Sequence, residues 1–361
     1  MNKDNCGKND FIDGELVTLW YLAHKRDLPW RRDTDPYHVW VSEIMLQQTR
    51  VEAVKEYYLR FIKALPSVEA LAGAQEDTLL KLWEGLGYYS RVRNMKKAAV
   101  VIMEEYDGRF PSDYESIKKL PGIGEYTAGA IASIAFSERV PAIDGNVMRV
   151  LARLYGDDGD ISLSTTKRRF REYILSMKYE AAPGTFTQAM IELGALICIP
   201  GGAPLCTKCP YESCCRARKE GSQLSLPNKP AQKKRNILDY TVLILRDAKE
   251  YALRKRPDTG LLAGLYEPVL LEGHLSREEV LSLFPKEEMP LYIERLPDGK
   301  HVFSHVEWHM QAYYIKLDEL RDIKKVSLPF GKLTFVSKEQ IAADYAVPSA
   351  FAAYKPYFNG I

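Results

Sequence analysis

From residue 11 to residue 197, apolar positions recur three and four apart between short polar breaks. ELVTLWYLAH (15–24), PYHVWVSEIMLQQ (36–48) and VEAVKEYYLRFIKAL (51–65) carry this spacing, which lines apolar side chains along one face of a helix. Strand-like alternation is scarce there, so residues 11–220 predict an all-α domain. The pattern changes near residue 220. GSQLSLPNKPAQKKRN (221–236) is polar, basic and without a period, as interdomain linkers are. Beyond it, YTVLILRD (240–247), YALRKR (251–256), LYIERL (291–296) and MQAYYIKL (310–317) are rich in the β-branched and aromatic residues of strands. SREEVLSLF (276–284) and SKEQIAADY (337–345) predict helices, each opened by a serine cap. Residues 237–361 therefore predict an α+β domain, and the sequence shows no internal repeat.

Length agrees with two domains: 361 residues at roughly 100–200 residues each. The 46% hydrophobic and 27% charged residues are ordinary for a globular protein with two real cores. MNKDNCGKND lacks the basic start and apolar run of a secretory signal. AGAIASIAF (128–136) is too short to cross a bilayer, which takes about 20 residues. The expectation is a cytoplasmic protein. The net charge of +2 decides little. Basic residues do cluster, at Arg91, Arg93, Lys96 and Lys97, at Lys167, Arg168, Arg169 and Arg171, and at Lys233, Lys234 and Arg235. Phosphate binding needs such local patches, although each cluster alone also reads as a solvated helix face.

Five of the six cysteines fall in CIPGGAPLCTKCPYESCC (198–215). That density points to a metal site rather than disulfides in a cytosolic chain. One ligand set is Cys198, Cys206, Cys209 and Cys215, with seven, two and five residues between them. Four thiolates suit zinc or an iron–sulfur cluster. A zinc ribbon has two CxxC knuckles and only CTKC is present, an asymmetry that favours a 4Fe–4S cluster. Cys6, in a polar tail, stands apart.

In LPGIG (120–124), Pro121 and Gly122 form a turn, and Gly124 permits a positive φ and close backbone approach. A helix starting near Glu125 leaves unpaired N–H groups that can hold an anion. With a helix before it (112–120), the segment reads as a helix–hairpin–helix able to grip a phosphodiester without reading bases, or as a plain turn between helices. Asp144, in AIDGNVMRVLAR (142–153), is a natural N-cap whose anion the helix dipole favours. Such an anion can stabilise a developing cation. Glu43 lies on or beside the apolar face of its helix. A buried carboxyl there has a raised pKa and can serve as a general acid; a surface glutamate at the edge of the face is the alternative.

LPGIG, the downstream aspartate and the four cysteines together resemble the helix–hairpin–helix DNA glycosylases related to endonuclease III. SEIMLQQT, GLGYYSRVRN (85–94), IDGNV and FSH (303–305) narrow the resemblance to the adenine DNA glycosylase (MutY) family, over nearly the whole chain. The resemblance implies an N-terminal all-α helix–hairpin–helix glycosylase domain with a 4Fe–4S cluster loop, followed by a Nudix-like α+β domain. It implies removal of adenine mispaired with 8-oxoguanine or guanine in double-stranded DNA, by a monomer, in a bacterial cytoplasm at the nucleoid. The base must leave the stack first, because the sugar–base bond is unreachable inside the duplex. Glu43 matches the acid that protonates adenine, and Asp144 the carboxylate that stabilises the oxocarbenium-like sugar. Asn146 matches a polar partner of the site. Tyr126 stands where bifunctional relatives carry a lysine, and a phenol forms no Schiff base, so a glycosylase without efficient lyase activity is expected. Gln48 matches a residue inserted into the stack, Tyr88 an aromatic wedge, and Gly122 and Gly124 the phosphate grip. Phe303, Ser304 and His305 match a loop that contacts the lesion.

KRPDTGLLAGLYEP (255–268) carries the Nudix resemblance, but no glutamate-rich pyrophosphatase signature follows it. The domain is therefore expected to read the lesion rather than hydrolyse. The chain departs from the family twice: its first cysteine gap is seven residues where six is usual, and Cys214 adjoins Cys215 as a possible substitute ligand. Two rivals are an endonuclease III-like glycosylase/lyase, disfavoured by Tyr126 and the second domain, and a non-catalytic DNA-binding protein, disfavoured by the Glu43 and Asp144 pair.

Overall fold

A computed structural model describes residues 12–230, 234–285, 289–320 and 330–359; Cys6 and Lys233 lie outside them. The chain forms two compact units. The first comprises residues 1–73 and 94–231, the second residues 74–93 and 232–361.

The first unit is helical. Its helices are α1 (Glu15–His24), α2 (Pro36–Leu46), α3 (Val51–Ala64) and α4 (Val68–Gly73); α5 (Glu76–Leu82) belongs to the second unit, and α6 (Ser90–Glu105) crosses the boundary. The first unit continues with α7 (Tyr114–Lys119), α8 (Glu125–Phe136), α9 (Gly145–Tyr155), α10 (Ser164–Ser176), α11 (Pro183–Leu196) and α12 (Arg216–Glu220). Local signals set several of the starts. Asp35 caps α2 by accepting from the N–H of Tyr37 at 2.8 Å, with Pro36 at the first helical position. Asp113 caps α7 and Asp144 caps α9 in the same way. One apolar cluster joins α1, α9, α10 and α11 through Val17, Tyr21, Leu151, Phe170, Met190 and Leu193. The N-terminal half of the expected linker is tied down here: Leu226 O accepts from Arg153 Nε at 3.0 Å, and Asn228 O from the N–H of Ile161 at 3.2 Å.

The second unit is built on a mixed sheet. Its strands are β1 (Asn236–Arg246), β2 (Glu250–Lys255), β3 (Tyr266–Glu267), β4 (Val269–Glu272), β5 (Tyr292–Val302), β6 (Val306–Lys316) and β7 (Leu333–Ser337). They run in the order β3-β2-β1-β6-β5, with β4 paired to β1 and β7 to β2. The β1–β6 pair at the centre is parallel. Alternation along β1 splits the core. Val242 and Ile244 enter a cluster with Trp308, Ile341, Phe351 and Phe358, which brings in α14 (Lys338–Ala343) and α15 (Lys355–Asn359). Leu243 and Leu245 enter another with Val280 and Phe284, around α13 (Arg277–Ser282). The expected serine caps are present, as capping boxes at Ser276 and Ser337. Strand β5 runs past the expected end of LYIERL through Pro297. It is an edge strand, and a register shift between Leu296 and Gly299 absorbs the proline.

Candidate active site and cysteine centre

Helix α2 is buried on nearly every side, from Tyr37 through Met45. Glu43 is therefore no edge residue: it is 7% exposed. It opens onto a cleft of about 720 Å³ whose walls include Arg31, Gln48, Gly124, Tyr126, Asp144 and Asn146. That volume falls in the range of ligand clefts, about 300–1,000 Å³. Five residues named from the sequence for catalysis or DNA contact thus meet around Glu43 in one cavity, although they come from α2, α8 and α9 and the segments that flank them.

The Tyr126 hydroxyl donates to Glu43 Oε2 at 2.6 Å, and the Glu43 carboxyl forms no other hydrogen bond among the described residues. Burial pushes Glu43 up to about 7. The Tyr126 hydrogen bond and Arg31 oppose that rise, while the Asp144 charge adds to it. Asp144 is raised by burial as well, a rise that the Val147 N–H at 2.7 Å, the Asn146 amide at 2.8 Å and the positive field of Arg149 reduce but do not cancel. Burial, together with the nearby carboxylates, drives the Tyr126 phenol well above its usual range, so it stays neutral. Two carboxyls share the cleft, one with its proton poised near neutrality and one surrounded by donors.

The hairpin differs from expectation in one respect. Gly122, not Gly124, takes the positive φ, +77°. A Cβ there would also lie 2.5 Å from Asn94 Cβ, so both conformation and space demand glycine. Gly124 is extended at φ −93°, and a Cβ on it would meet nothing within 4 Å. As the N-cap of α8 it offers no side chain to the first-turn N–H groups, which leaves them open to a ligand. Gln48, exposed just past α2, has φ +57°, a backbone state uncommon outside glycine and concentrated at functional sites.

Three residues in or behind the cleft carry no motif in the sequence: Glu192, which lines it, and Arg149 and Gly194, which do not. Glu192, on α11, is fully buried and takes two hydrogen bonds from Arg26 and two from Arg31, at 2.7–3.1 Å, through side chain donors. Burial would raise its carboxyl, but the two guanidiniums outweigh that and hold it at about 2. A lone glutamate in the apolar run of FTQAMIELGAL was the available signal. Arg149 donates to Asn146 Oδ1 at 2.9 Å, to Gly194 O at 2.7 Å and to Cys198 O at 2.7 Å, and so runs from the Asp144 cap to the cysteine loop. A Cβ on Gly194 would lie 2.7 Å from Asn146 Cβ; its absence lets α11 approach the start of α9.

Cys198, Cys206, Cys209 and Cys215 line one small cavity with Arg153. Arg153 Nη1 donates to Cys198 Sγ at 3.4 Å. Burial pushes the Cys209 thiol up to about 12, and the other three cysteines add to the rise. Among the described residues no three His, Cys, Asp or Glu side chains converge on a single ion. Cys214 packs into the apolar cluster instead and does not line the cavity. Gly201 and Gly202, in the first gap, both take positive φ with open space around them.

The other named residues belong to the second unit. Tyr88 is 46% exposed at φ +47°, in a turn with Gly85 and Gly87 also at positive φ. Phe303, Ser304 and His305 form the β5–β6 hairpin, closed by the Phe303 N–H to Val306 O at 2.8 Å. Ser304 and His305 are exposed at its tip, and Phe303 packs edge-on against Trp308 at 4.9 Å. No helix among the described residues is long and apolar enough to cross a membrane.

Comparison with known proteins agrees with this arrangement. The family model described as HhH-GPD superfamily base excision DNA repair protein matches residues 41–175, and a NUDIX domain model matches residues 240–355. The chain is 34% identical to an adenine DNA glycosylase of Rattus norvegicus, over 94% of this chain and 77% of that one. It is 38% identical to one from Buchnera aphidicola subsp. Schizaphis graminum, over 87% and 90%. A solved structure titled as a thermostable thymine-DNA glycosylase superposes on 57% of this chain and 94% of its own, with a TM-score of 0.52 at 26% identity. The chain belongs to the adenine DNA glycosylase family, hydrolases acting on N-glycosyl bonds, with an N-terminal HhH-GPD unit and a C-terminal Nudix-like unit.

Proposed function

We propose that this enzyme removes adenine mispaired with 8-oxoguanine or guanine in double-stranded DNA, acting as a monomer and without efficient strand cleavage. The observation that carries the reading is the buried Glu43 carboxyl, hydrogen-bonded to Tyr126 at 2.6 Å in the cleft that also holds Asp144. The extruded adenine enters this cleft, since chemistry on a base requires taking it out of the stack. Glu43, poised near neutral pH, donates a proton to the adenine ring and makes it a leaving group. Tyr126 occupies Oε2, which leaves Oε1 to hold that proton toward the cleft. Asp144, fixed by Val147 and Asn146 at a helix start, supplies the anion that stabilises the oxocarbenium-like sugar. Glu43, now ionised, accepts a proton from the water that completes hydrolysis. Tyr126 is a neutral phenol where a lyase needs an amine, so no Schiff base forms.

The hairpin N–H groups after Gly122 and Gly124 hold a phosphate. Gln48 enters the stack, Tyr88 wedges beside the lesion, and Phe303, Ser304 and His305 contact 8-oxoguanine. The four cysteines would hold a 4Fe–4S cluster: they line one cavity, and the Cys209 and Cys215 thiols, raised by burial, ionise readily only beside a strongly positive partner. When bound, the cluster supplies four iron–thiolate bonds that fix the loop.

The test is single-turnover incubation with duplexes carrying adenine opposite 8-oxoguanine, guanine or thymine, with and without alkali. Release opposite 8-oxoguanine and guanine, with strand breaks only after alkali, is the expected result. Breaks without alkali, or equal release opposite thymine, would overturn it.

A further inference from the structure

Residues 74–93 lie between segments of the helical unit in sequence, yet they pack as part of the second unit. The contacts that hold them are specific. Lys81 Nζ donates to Ile341 O at 3.0 Å, to Tyr345 O at 3.1 Å and to Glu84 Oε2 at 2.7 Å. An ammonium has three donors, and all three are used. Ile341 lies in the last turn of α14, so Lys81 also meets the carbonyls and negative dipole end that a helix leaves there. Glu84 Oε1 in turn accepts from Lys355 Nζ at 3.1 Å. Lys81 and Glu84 are shielded, with side chains 21% and 17% exposed, so solvent weakens this pair less than an ordinary surface one. At the other end of the segment, Arg93 bonds Glu76 at 2.7 Å and Ala263 O at 2.5 Å.

Between these anchors sits the turn that presents Tyr88. Trp83 Nε1 donates to Gly87 O at 3.1 Å, and Arg91 Nη2 donates to Leu86 O and Gly87 O at 3.0 Å each. The Arg91 guanidinium lies over the Trp83 ring at 5.3 Å and the Tyr88 ring at 5.7 Å, a cation–π arrangement on both rings. The left-handed backbone at Tyr88 persists only if its surroundings over-determine it. Glu84, the clamped residue, immediately precedes Gly85, the first positive-φ residue of the turn.

We propose that Lys81, with Glu84 and Lys355, is a positioning clasp through which the C-terminal unit sets the Tyr88 wedge, and hence preference for the lesion. This rests on the reading of Tyr88 as the wedge. The C-terminal unit then acts on recognition twice, through its own hairpin at 303–305 and through a turn supplied from another part of the chain.

The test is a double-mutant cycle of Lys81→Met and Tyr88→Ala in the full-length protein. It is scored as the ratio of single-turnover base release opposite 8-oxoguanine to that opposite guanine, with a thermal midpoint for each variant. Coupled residues interact measurably in such cycles. Lys81→Met is expected to lower the ratio about fivefold in the parent and to leave it unchanged in the Tyr88→Ala background. Lys355→Met, which spares the carbonyl bonds of Lys81, should lower it in the same direction by less, and it decides the matter if Lys81→Met does not fold. Equal losses in both backgrounds would overturn the clasp and leave the wedge standing. No change in the ratio on Tyr88→Ala alone would overturn the wedge and the clasp together.

Discussion

Glu43→Gln keeps the shape of a buried side chain and removes its proton. Two consequences follow from the same environment, in opposite directions. Base release loses its acid, a loss of about 10²–10⁴-fold for general acid catalysis alone. Stability moves the other way. The Glu43 carboxyl sits at about 7 in the folded chain against an ordinary 4.5, so the unfolded chain gives up that proton first. The folded protein is therefore unpenalised below about pH 4.5 and loses stability as pH rises toward 7, by roughly 3 kcal/mol in all. Above pH 7 the penalty stays constant. Glutamine carries no such penalty. Its amide leaves unmet hydrogen bonds worth about 1–3 kcal/mol, but that cost does not vary with pH. The discriminating quantity is thus the change in the difference between variant and parent. Thermal midpoints at pH 5 and pH 8 measure it, at about 2–4 °C per kcal/mol for a unit of this size. The variant should gain several degrees on the parent between the two pH values. A difference that stays flat, or one that grows in the parent's favour, would show that Glu43 is not held protonated by burial. Near-normal single-turnover release by the variant would remove its catalytic role.

Other substitutions test the rest of the site. Tyr126→Phe removes the donor that favours the Glu43 carboxylate, so the limb of the pH–rate profile that reports Glu43 should move to higher pH; a shift to lower pH would refute the assigned hydrogen bond. Tyr126→Lys should introduce strand nicking or a borohydride-trappable adduct, and the absence of both would undo the account of that position. Glu192→Gln leaves Arg26 and Arg31 without their shared anion, at a cost of about 3–5 kcal/mol, read as a lowered thermal midpoint; an unchanged midpoint would show that water serves those guanidiniums as well. Protein with all four cysteines should be brown, absorbing near roughly 400 nm as thiolate-ligated clusters do, and Cys209→Ser should lose that band. A colourless parent containing zinc would refute the cluster.

What the sequence disclosed follows the range of each interaction. Caps are local: Ser276 and Ser337, named from the sequence, each act on backbone three residues away, as Asp35 and Asp113 do within two or three residues. Asp144 belongs with them, because its capping bonds are what hold the carboxylate in place. Glu43 was ambiguous for a definite reason. Periodicity distinguishes a buried face from an exposed one, and α2 has no exposed face to contrast. The glycine assignment slipped within a single turn, since both glycines break a helix, and what sets Gly122 apart is its positive φ together with the Asn94 side chain, 28 residues earlier by number. The partners of Glu192 and of the 74–93 segment were illegible for a stronger reason. Arg26 and Glu192 are 166 positions apart, and Lys81 and Tyr345 are 264 apart. A buried charge is tolerable only when its partner arrives, and no local pattern can announce a partner so distant. The consequence reaches function. The residues proposed for the chemistry sit in short local motifs, whereas the groups around Glu43 and the contacts around the Tyr88 turn depend on chain closure. Variants at Arg31, Glu192, Lys81 or Lys355 should accordingly change pH response and lesion preference while every recognisable motif remains intact.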